Sequence, residues 1–287
     1  MSAPRVEFWG TRGSIPAPGP KTLRYGGNTS CVCVRWNDEV LVCDAGTGIR
    51  PLGFHLVNSG GPASGRIFIG HTHWDHIQGF PFFFPAYLPQ NQWRIHSAKG
   101  VGESFETIFR RQMGINYFPV EVGDMAARLE FQQVDGHPFD AGPVKVRTIF
   151  TNHPGICVGY RFDMDGKSAV YLTDHETHWT HMGRSEYSER LDREITDFCR
   201  GADILVCDSQ YTDAEYQKKR GWGHSRWRDT VALGIAAEVK RLALFHHDPE
   251  RSDDDIDRIV EESLELVGKS GTKMECFAAR EGQSVAL

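Results

Sequence analysis

The segment RIFIGHTHWDH, residues 66–76, joins an apolar run directly to a dense group of polar side chains. The run RIFIG is typical of a buried β-strand, and three histidines and one aspartate follow between His71 and His76. His71 and His73 are two residues apart just beyond the strand, so both imidazoles should point the same way. Burying these donors without a cation would leave many polar groups unsatisfied, so the segment predicts a metal site at a strand end.

Short apolar runs of the same kind recur along the chain and alternate with helical patterns. They predict strands at RVEFW, CVCVRW, EVLVC, VKVRTIF, CVGYRF, SAVYLT, ADILVC and RLALF. Apolar spacing predicts one helix over residues 225–239 and a last helix over about 253–267, with Ser252 as its N-cap. Residues 80–140 are rich in aromatic residues, glycine and proline, and are expected to form the rim of a site. The pattern favours a single α/β domain over residues 1–287, built from two packed sheets with outer helices.

Charge and cysteine content restrict the function classes. The formal net charge of −6 argues against a long nucleic acid as the main partner, because duplex binding depends on basic patches. The seven cysteines contain no CxxC pair and are expected to be reduced, mostly buried thiols. No run approaches the roughly 18 apolar residues of a membrane span, and the start lacks the apolar run of a signal peptide. We therefore expect a cytoplasmic protein without a membrane partner.

Three further donors each follow a predicted strand. They are His153 after VKVRTIF, Asp174 after SAVYLT, and His246 after RLALF, with His247 directly behind it. Taken singly, Asp174 could cap a helix and His153 could lie in a surface turn. The repeated order of apolar strand and then donor favours ligands that meet at one end of a sheet.

The motif HxHxDH stands here as His71, His73, Asp75 and His76, and with the downstream donors it resembles the metallo-β-lactamase superfamily over nearly the whole chain. The resemblance implies a four-layer αβ/βα sandwich of two mixed β-sheets with outer helices. It also implies two divalent metal ions, one held by His71, His73 and His153, the other by Asp75, His76 and His246, with Asp174 bridging both. Imidazole and carboxylate ligands suit Zn²⁺, which we favour, and also Mn²⁺ or Fe²⁺.

Two further residues look like the phosphodiesterase branch of that superfamily, which comprises tRNA 3′-end endonucleases and small cyclic-phosphate phosphodiesterases. Asp208 ends the run ADILVCD, and His224 lies in GWGHSRW; FWGTRGSIPAPG, GGNTSC and LFHHDP look like the same branch. The resemblance implies that Asp208 orients His224, which binds the phosphate or protonates the leaving oxygen. The alternatives are a helix cap for Asp208 and a surface histidine for His224.

The remaining parts of the predicted mechanism concern the nucleophile and the substrate phosphate. Two metal ions would hold a bridging hydroxide, which Asp75 could orient as a catalytic residue, and would clamp a phosphoryl oxygen. Arg12 in GTRGS is a candidate substrate contact, with a surface ion pair as the alternative. The aromatic stretch FPFFFPAYLP and Trp93 could line a base-stacking wall, although such residues more often belong to a core.

The predicted substrate is a small phosphodiester, a cyclic nucleotide or a ribose cyclic phosphate. The tRNA endonucleases of this branch carry a long basic, glycine-rich arm, and the chain has no such segment, so no long nucleic acid is expected. A tRNA 3′-end endonuclease is one alternative, and a lactonase or thioesterase, which would need no Asp208–His224 pair, is another. A non-enzymatic binding role is disfavoured because no ligand of the motif is missing. Relatives are often homodimers, so a homodimer is expected.

Overall fold

The computed structural model describes residues 4–60 and 63–287. The chain divides into two compact units, and the strands of each form one seven-stranded sheet. Unit 1 comprises residues 1–18, 26–135 and 280–286, and unit 2 comprises residues 19–25, 136–279 and 287. The single domain over residues 1–287 stays a prediction.

The sheet of unit 1 is mixed, with the strand order β14-β1-β2-β3-β4-β5-β6. Its strands are β1 (Arg5–Gly10), β2 (Cys31–Trp36), β3 (Glu39–Cys43), β4 (Gly65–Phe68), β5 (Gln92–Ala98), β6 (Arg128–Val134) and β14 (Ser284–Ala286). Its helices are α1 (Ile49–Asn58), α2 (Trp74–Ile77) and α3 (Phe105–Arg111), with 3₁₀ turns at Phe80–Phe82, Phe84–Tyr87 and Val122–Asp124. Strands β3 to β6 are parallel, so the carboxyl ends of β3 and β4 lie side by side.

The core of unit 1 contains two rings, Phe80 and Phe83, of the aromatic stretch that follows the histidine motif. Phe80, Phe83 and Trp93 are fully buried there, together with Cys31 and Cys33 from β2. The core interpretation of these three rings is therefore correct, whereas other aromatic side chains of this region are exposed. The segment also contains β5, α3 and β6, which the sequence pattern did not predict.

Burial of His96 on β5 is expected to make the stability of unit 1 depend on pH. Its ring is buried and stacks on Phe68, with ring centroids 4.9 Å apart. Burial, assisted by the charges of Arg66 and Arg94, lowers the pKa of His96 from 6.5 to about 4. The unfolded chain therefore takes up this proton first as the pH falls. We expect the free energy of unfolding to decrease between pH 6.5 and about 4, by up to about 3 kcal/mol.

Denaturant unfolding across that pH range measures the effect. The variant His96→Gln should flatten the dependence of the unfolding free energy on pH, because it removes the titrating group. His55→Gln, at an exposed position on α1, is the matched control and should keep the slope of the wild type. Equal slopes for His96→Gln and the wild type would contradict the assignment.

The sheet of unit 2 is also mixed, with the order β13-β12-β11-β10-β9-β8-β7. Its strands are β7 (Phe139–Ala141), β8 (Val144–Phe150), β9 (Val158–Met164), β10 (Lys167–Leu172), β11 (Ile204–Asp208), β12 (Arg241–Phe245) and β13 (Glu275–Ala278). Its helices are α4 (His178–Met182), α5 (Glu186–Cys199), α6 (Asp213–Lys219), α7 (Trp227–Ala236) and α8 (Asp253–Ser270). Strands β10 to β13 are parallel, and β8 runs in the same direction because β9 is antiparallel to both β8 and β10. Two mixed sheets with helices confirm the predicted α/β class.

The two predicted helices form, with shifted ends. Helix α7 begins at Trp227 rather than at 225, because Arg226 is extended and bridges to Tyr211. It ends at Ala236, shortly before Glu238 adopts a left-handed backbone. Ser252 caps α8 as predicted, its Oγ accepting from the backbone N–H of Asp255 at 3.3 Å.

The cysteines are free and buried, as predicted. Burial raises the pKa of thiols such as Cys31 and Cys207, so they are neutral packing groups. Among residues 4–60 and 63–287, no helix has both the length and the hydropathy that a membrane span requires.

Candidate metal centre

Unit 1 gathers the four residues of the HxHxDH motif, here called the unit 1 cluster: His71, His73, Asp75 and His76. The motif follows β4, and His73 is the N-cap residue of the short helix α2. The ring centroid of His71 lies 4.3 Å from that of His73 and 4.4 Å from that of His76. His71, Asp75 and His76 are buried, and His73 is exposed. The structure therefore brings three imidazoles and a carboxylate to one strand end, as predicted.

Asp44 fixes the orientation of His76, a role that was not predicted from the sequence. It follows β3 directly, and its Oδ2 lies 2.6 Å from His76 Nδ1 while its Oδ1 accepts from the backbone N–H of Gly70 at 2.8 Å. An acceptor on Nδ1 leaves the opposite ring nitrogen as the metal-binding atom, an arrangement common around metal-binding histidines. The signal was present, since the run EVLVC is followed by Asp44 in the same order of strand and donor.

Asp44→Asn is expected to weaken metal binding about 10- to 100-fold, because it removes the carboxylate that orients His76. The measurement is a competition titration of metal-free protein with a chelating dye. Asp38→Asn, an exposed aspartate before β3, serves as the matched control and should bind metal as the wild type does. Unchanged affinity in Asp44→Asn would show that this carboxylate has no part in metal binding.

Arg12 lies in the loop that precedes β2, and Asp75, on α2, contacts the same loop. Asp75 Oδ2 accepts from the backbone N–H of Ser14 at 2.7 Å and lies 3.2 Å from His76 Nε2. The Arg12 side chain is fully buried, and its Nε donates to the carbonyl of Gly26 at 2.8 Å. That burial favours a structural role for Arg12, not the surface ion pair considered as its alternative. Its contact with substrate stays a prediction.

Unit 2 gathers the remaining sequence-predicted donors at one sheet edge, here called the unit 2 cluster: His153, Asp174, Asp208, His224 and His246. His153 follows β8, Asp174 follows β10, Asp208 ends β11 and His246 follows β12. Ligand atoms of Asp174, Asp208, His224 and His246 all lie within 4.8 Å of one another. The carboxyl ends of these co-directional strands explain the convergence.

The Asp174 carboxylate faces a different imidazole with each oxygen. His246 Nε2 lies 3.3 Å from Oδ1, and His153 Nε2 lies 3.7 Å from Oδ2. Both rings are fixed through their other nitrogen, since His246 Nδ1 lies 3.0 Å from Gln210 Oε1 and His153 Nδ1 lies 3.1 Å from the carbonyl of Gly223. Asp174 and the two fixed imidazoles are therefore oriented as candidate ligands of divalent cations.

Asp208 and His224 form a buried pair. Asp208 Oδ2 lies 2.6 Å from His224 Nδ1, and Asp208 Oδ1 accepts from the backbone N–H of Gln210 at 3.0 Å. The ring of His224 stacks on that of His246 at a centroid distance of 4.9 Å. Its Nε2 is turned away from Asp208, so the carboxylate fixes the ring and leaves this nitrogen for other contacts.

Glu176 holds the loop that carries His224, and this role was also not predicted from the sequence. Its side chain is buried and accepts from the backbone N–H groups of Gly221 and Gly223 at 2.9 and 3.0 Å, and from the Tyr216 hydroxyl. Gly223 has a φ of 90°, and a Cβ there would lie 2.2 Å from His153 Nδ1. The loop therefore requires glycine at 223, and it positions His153 and His224 together.

The donor set of each cluster suits a divalent transition metal. Both clusters consist of imidazole nitrogen and carboxylate oxygen, with no cysteine among the residues that line them. Zn²⁺, Mn²⁺ and Fe²⁺ all accept such ligands. Each cluster also has carboxylates or carbonyls that orient its imidazoles, as metal sites normally do.

Comparisons with known proteins agree with this chemistry. A haloarchaeal relative from Haloarcula marismortui named Ribonuclease Z is 23% identical over 84% of this chain and 85% of its own length. The metallo-β-lactamase fold protein YhfI from Bacillus subtilis has a TM-score of 0.69 at 17% identity, covering 99% of both chains. Human tRNase Z, short form, has a TM-score of 0.66 at 18% identity, covering 98% of both chains.

These structures confirm the predicted metallo-β-lactamase fold. The family model described as a β-lactamase superfamily domain matches residues 40–247, which is more than half of the chain. The matched range includes every residue of the two clusters. The chain therefore belongs to the β-lactamase superfamily, as its ligand motif predicted.

Proposed function

We propose that this protein is a dinuclear metal phosphodiesterase that hydrolyses phosphodiester bonds of RNA. Relatives named Ribonuclease Z, matched over most of their length, confirm the broader prediction of a metal-dependent hydrolase that acts on phosphodiester bonds. RNA as the substrate is the narrower inference, and it is supported by the same names and by the buried Asp208–His224 pair.

The prediction of a small phosphodiester substrate, with no long nucleic acid expected, was wrong. The relatives are ribonucleases by name, and one structural neighbour is a tRNase. The net charge led to this wrong expectation because it is a sum over the whole chain. Phosphates are neutralised locally, by individual side chains and bound cations. A value of −6 therefore does not exclude RNA. A homodimer stays a prediction.

We assign the ligands as the family resemblance implies. By that resemblance, one ion would be held by His71, His73 and His153 and the other by Asp75, His76 and His246, and Asp174 would be a ligand of both. Within unit 2, the two oxygens of Asp174 facing His153 and His246 support this division. When bound, the ions would neutralise charge on the phosphate and activate a water molecule.

The Asp208–His224 pair is the observation that carries the proposal. A phosphodiester leaves an alkoxide that needs a proton, and a carboxylic ester of lactone or thioester type has no need of this pair in the family pattern. Asp208 accepts at His224 Nδ1 with a distance of 2.6 Å, which fixes the ring. In the proposed reaction, His224 Nε2 donates the proton that the leaving oxygen takes.

The test is a substrate panel with metal-free protein to which Zn²⁺ or Mn²⁺ is added back. The panel contains single-stranded RNA, a pre-tRNA with a 3′ trailer, bis-p-nitrophenyl phosphate, cyclic mononucleotides, lactones and thioesters. We expect metal-dependent cleavage of RNA and of bis-p-nitrophenyl phosphate. Hydrolysis of lactones or thioesters with no cleavage of either phosphodiester would overturn the proposal, and cleavage of cyclic nucleotides alone would overturn the choice of RNA.

A further inference from the structure

A groove in unit 1 begins within the ligand motif itself. It has a volume of about 500 Å³, within the range of small-molecule sites, and is here called the Trp74 groove. Its walls include Thr72, Trp74, Gln78, Phe82, Arg111 and Tyr117. Thr72 and Trp74 alternate along the chain with His71, His73 and Asp75, so the groove is built on the same segment as the unit 1 cluster.

Large aromatic side chains in this groove are turned to solvent. Trp74 and Tyr117 are each 79% exposed, and Phe82 is 55% exposed. Neighbouring rings of the same segment, Phe80 and Phe83, are fully buried. A contiguous apolar and aromatic surface of this kind is usually a binding surface, because it gains from being covered.

The charge of the groove fits an anionic partner. Among the described residues that line it, Arg111 is cationic and none is acidic. Arg111 pairs with Glu103 at 3.0 Å, but both side chains are more than 40% exposed, and such surface pairs contribute little to stability. The guanidinium can therefore turn to a phosphate.

We propose that the Trp74 groove binds unpaired nucleotides of the RNA next to the scissile phosphate. Trp74 and Tyr117 stack on bases, and Arg111 contacts a backbone phosphate. Stacking on exposed aromatic rings is how proteins hold single-stranded nucleic acid without reading its sequence. This inference rests on the proposed function and specifies its substrate as RNA with an unpaired segment at the cleavage point.

Binding of a fluorescently labelled single-stranded RNA, measured by anisotropy with metal-free protein, tests the groove independently of hydrolysis. Trp74→Ala and Tyr117→Ala should each weaken binding about 5- to 150-fold, the usual range for loss of one base–aromatic stack. Tyr187→Ala removes a similarly exposed aromatic ring from α5 in unit 2 and should bind as the wild type does. An oligonucleotide with abasic nucleotides should bind weakly to the wild type and be insensitive to both groove variants.

The outcomes distinguish failure of the groove proposal from failure of the proposed function. RNA that binds as predicted but is not cleaved by the metal-loaded wild type would leave the groove in place and overturn the ribonuclease. Equal binding by the wild type and Tyr117→Ala, or equal binding of intact and abasic RNA, would overturn the groove. Tyr117→Ala lies outside the ligand motif, so it keeps the test decisive if Trp74→Ala disturbs the fold of the motif. Conversion of a dimer to a monomer by Tyr117→Ala in sedimentation, without a change in RNA binding, would show that a second copy covers the groove.

Discussion

Asp174→Ala is expected to lower hydrolysis of bis-p-nitrophenyl phosphate by at least about 10³-fold and to reduce the bound metal. The two oxygens of this buried carboxylate face His246 Nε2 at 3.3 Å and His153 Nε2 at 3.7 Å. Its removal takes the shared ligand from both proposed ions and leaves the two imidazoles without the anion between them. Stabilisation of charge by bound cations is worth several kcal/mol, which corresponds to this factor in rate.

Steady-state rates and elemental analysis on the same preparations measure the two effects together. Asp140→Ala, an exposed aspartate on β7 of the same unit, is the matched control and should retain both rate and metal. A variant at 174 that keeps full metal content and full rate would show that this carboxylate bridges nothing. Loss of rate with complete retention of metal would restrict its role to positioning.

His224→Ala should lower turnover but retain metal, whereas Asp174→Ala should lower both. The predicted decrease in kcat is about 10²- to 10⁴-fold, the usual range for a positioned proton donor. Asp208→Asn should reproduce much of this loss, because Asp208 holds His224 Nδ1 at 2.6 Å. Since the two residues act as one unit, the double variant should be little worse than His224→Ala alone.

The leaving group provides the decisive comparison for this pair. A p-nitrophenolate needs little protonation, so the loss in His224→Ala should be larger for an RNA substrate, whose leaving alkoxide needs a proton. His137→Ala, at an exposed position in unit 2, controls for the removal of an imidazole. Equal losses on both substrates would contradict proton donation by His224, and a full rate on both would remove it from the mechanism.

The sequence predicted the candidate ligands better than the residues that orient them. The ligand motif and the later donors could be found because each follows an apolar strand, and co-directional strands deliver their carboxyl ends to one edge. The roles of Asp44 and Glu176 could not be predicted because they depend on partners that are distant in sequence, namely His76 and the loop at Gly221–Gly223, even though Asp44 itself follows a strand. Only tertiary structure shows which histidine a buried carboxylate orients.

The segment over residues 80–140 was the least predictable part of the fold. It mixes core rings such as Phe80 and Trp93 with exposed rings such as Phe82 and Tyr117, and aromatic residues suit both settings. Composition alone could not separate them, because burial is decided by packing against β5 and α3. The charge argument failed for a related reason, since an overall value contains no information on where charges lie.

Elemental analysis of native protein tests the central claim most directly. If the seven residues assigned as ligands hold two metal ions as proposed, the protein should contain about two ions of zinc, manganese or iron per chain. Chelation should remove them together with hydrolysis of RNA, and adding metal back should restore both. Native protein without a bound transition metal, cleaving RNA at the same rate before and after chelation, would contradict the account.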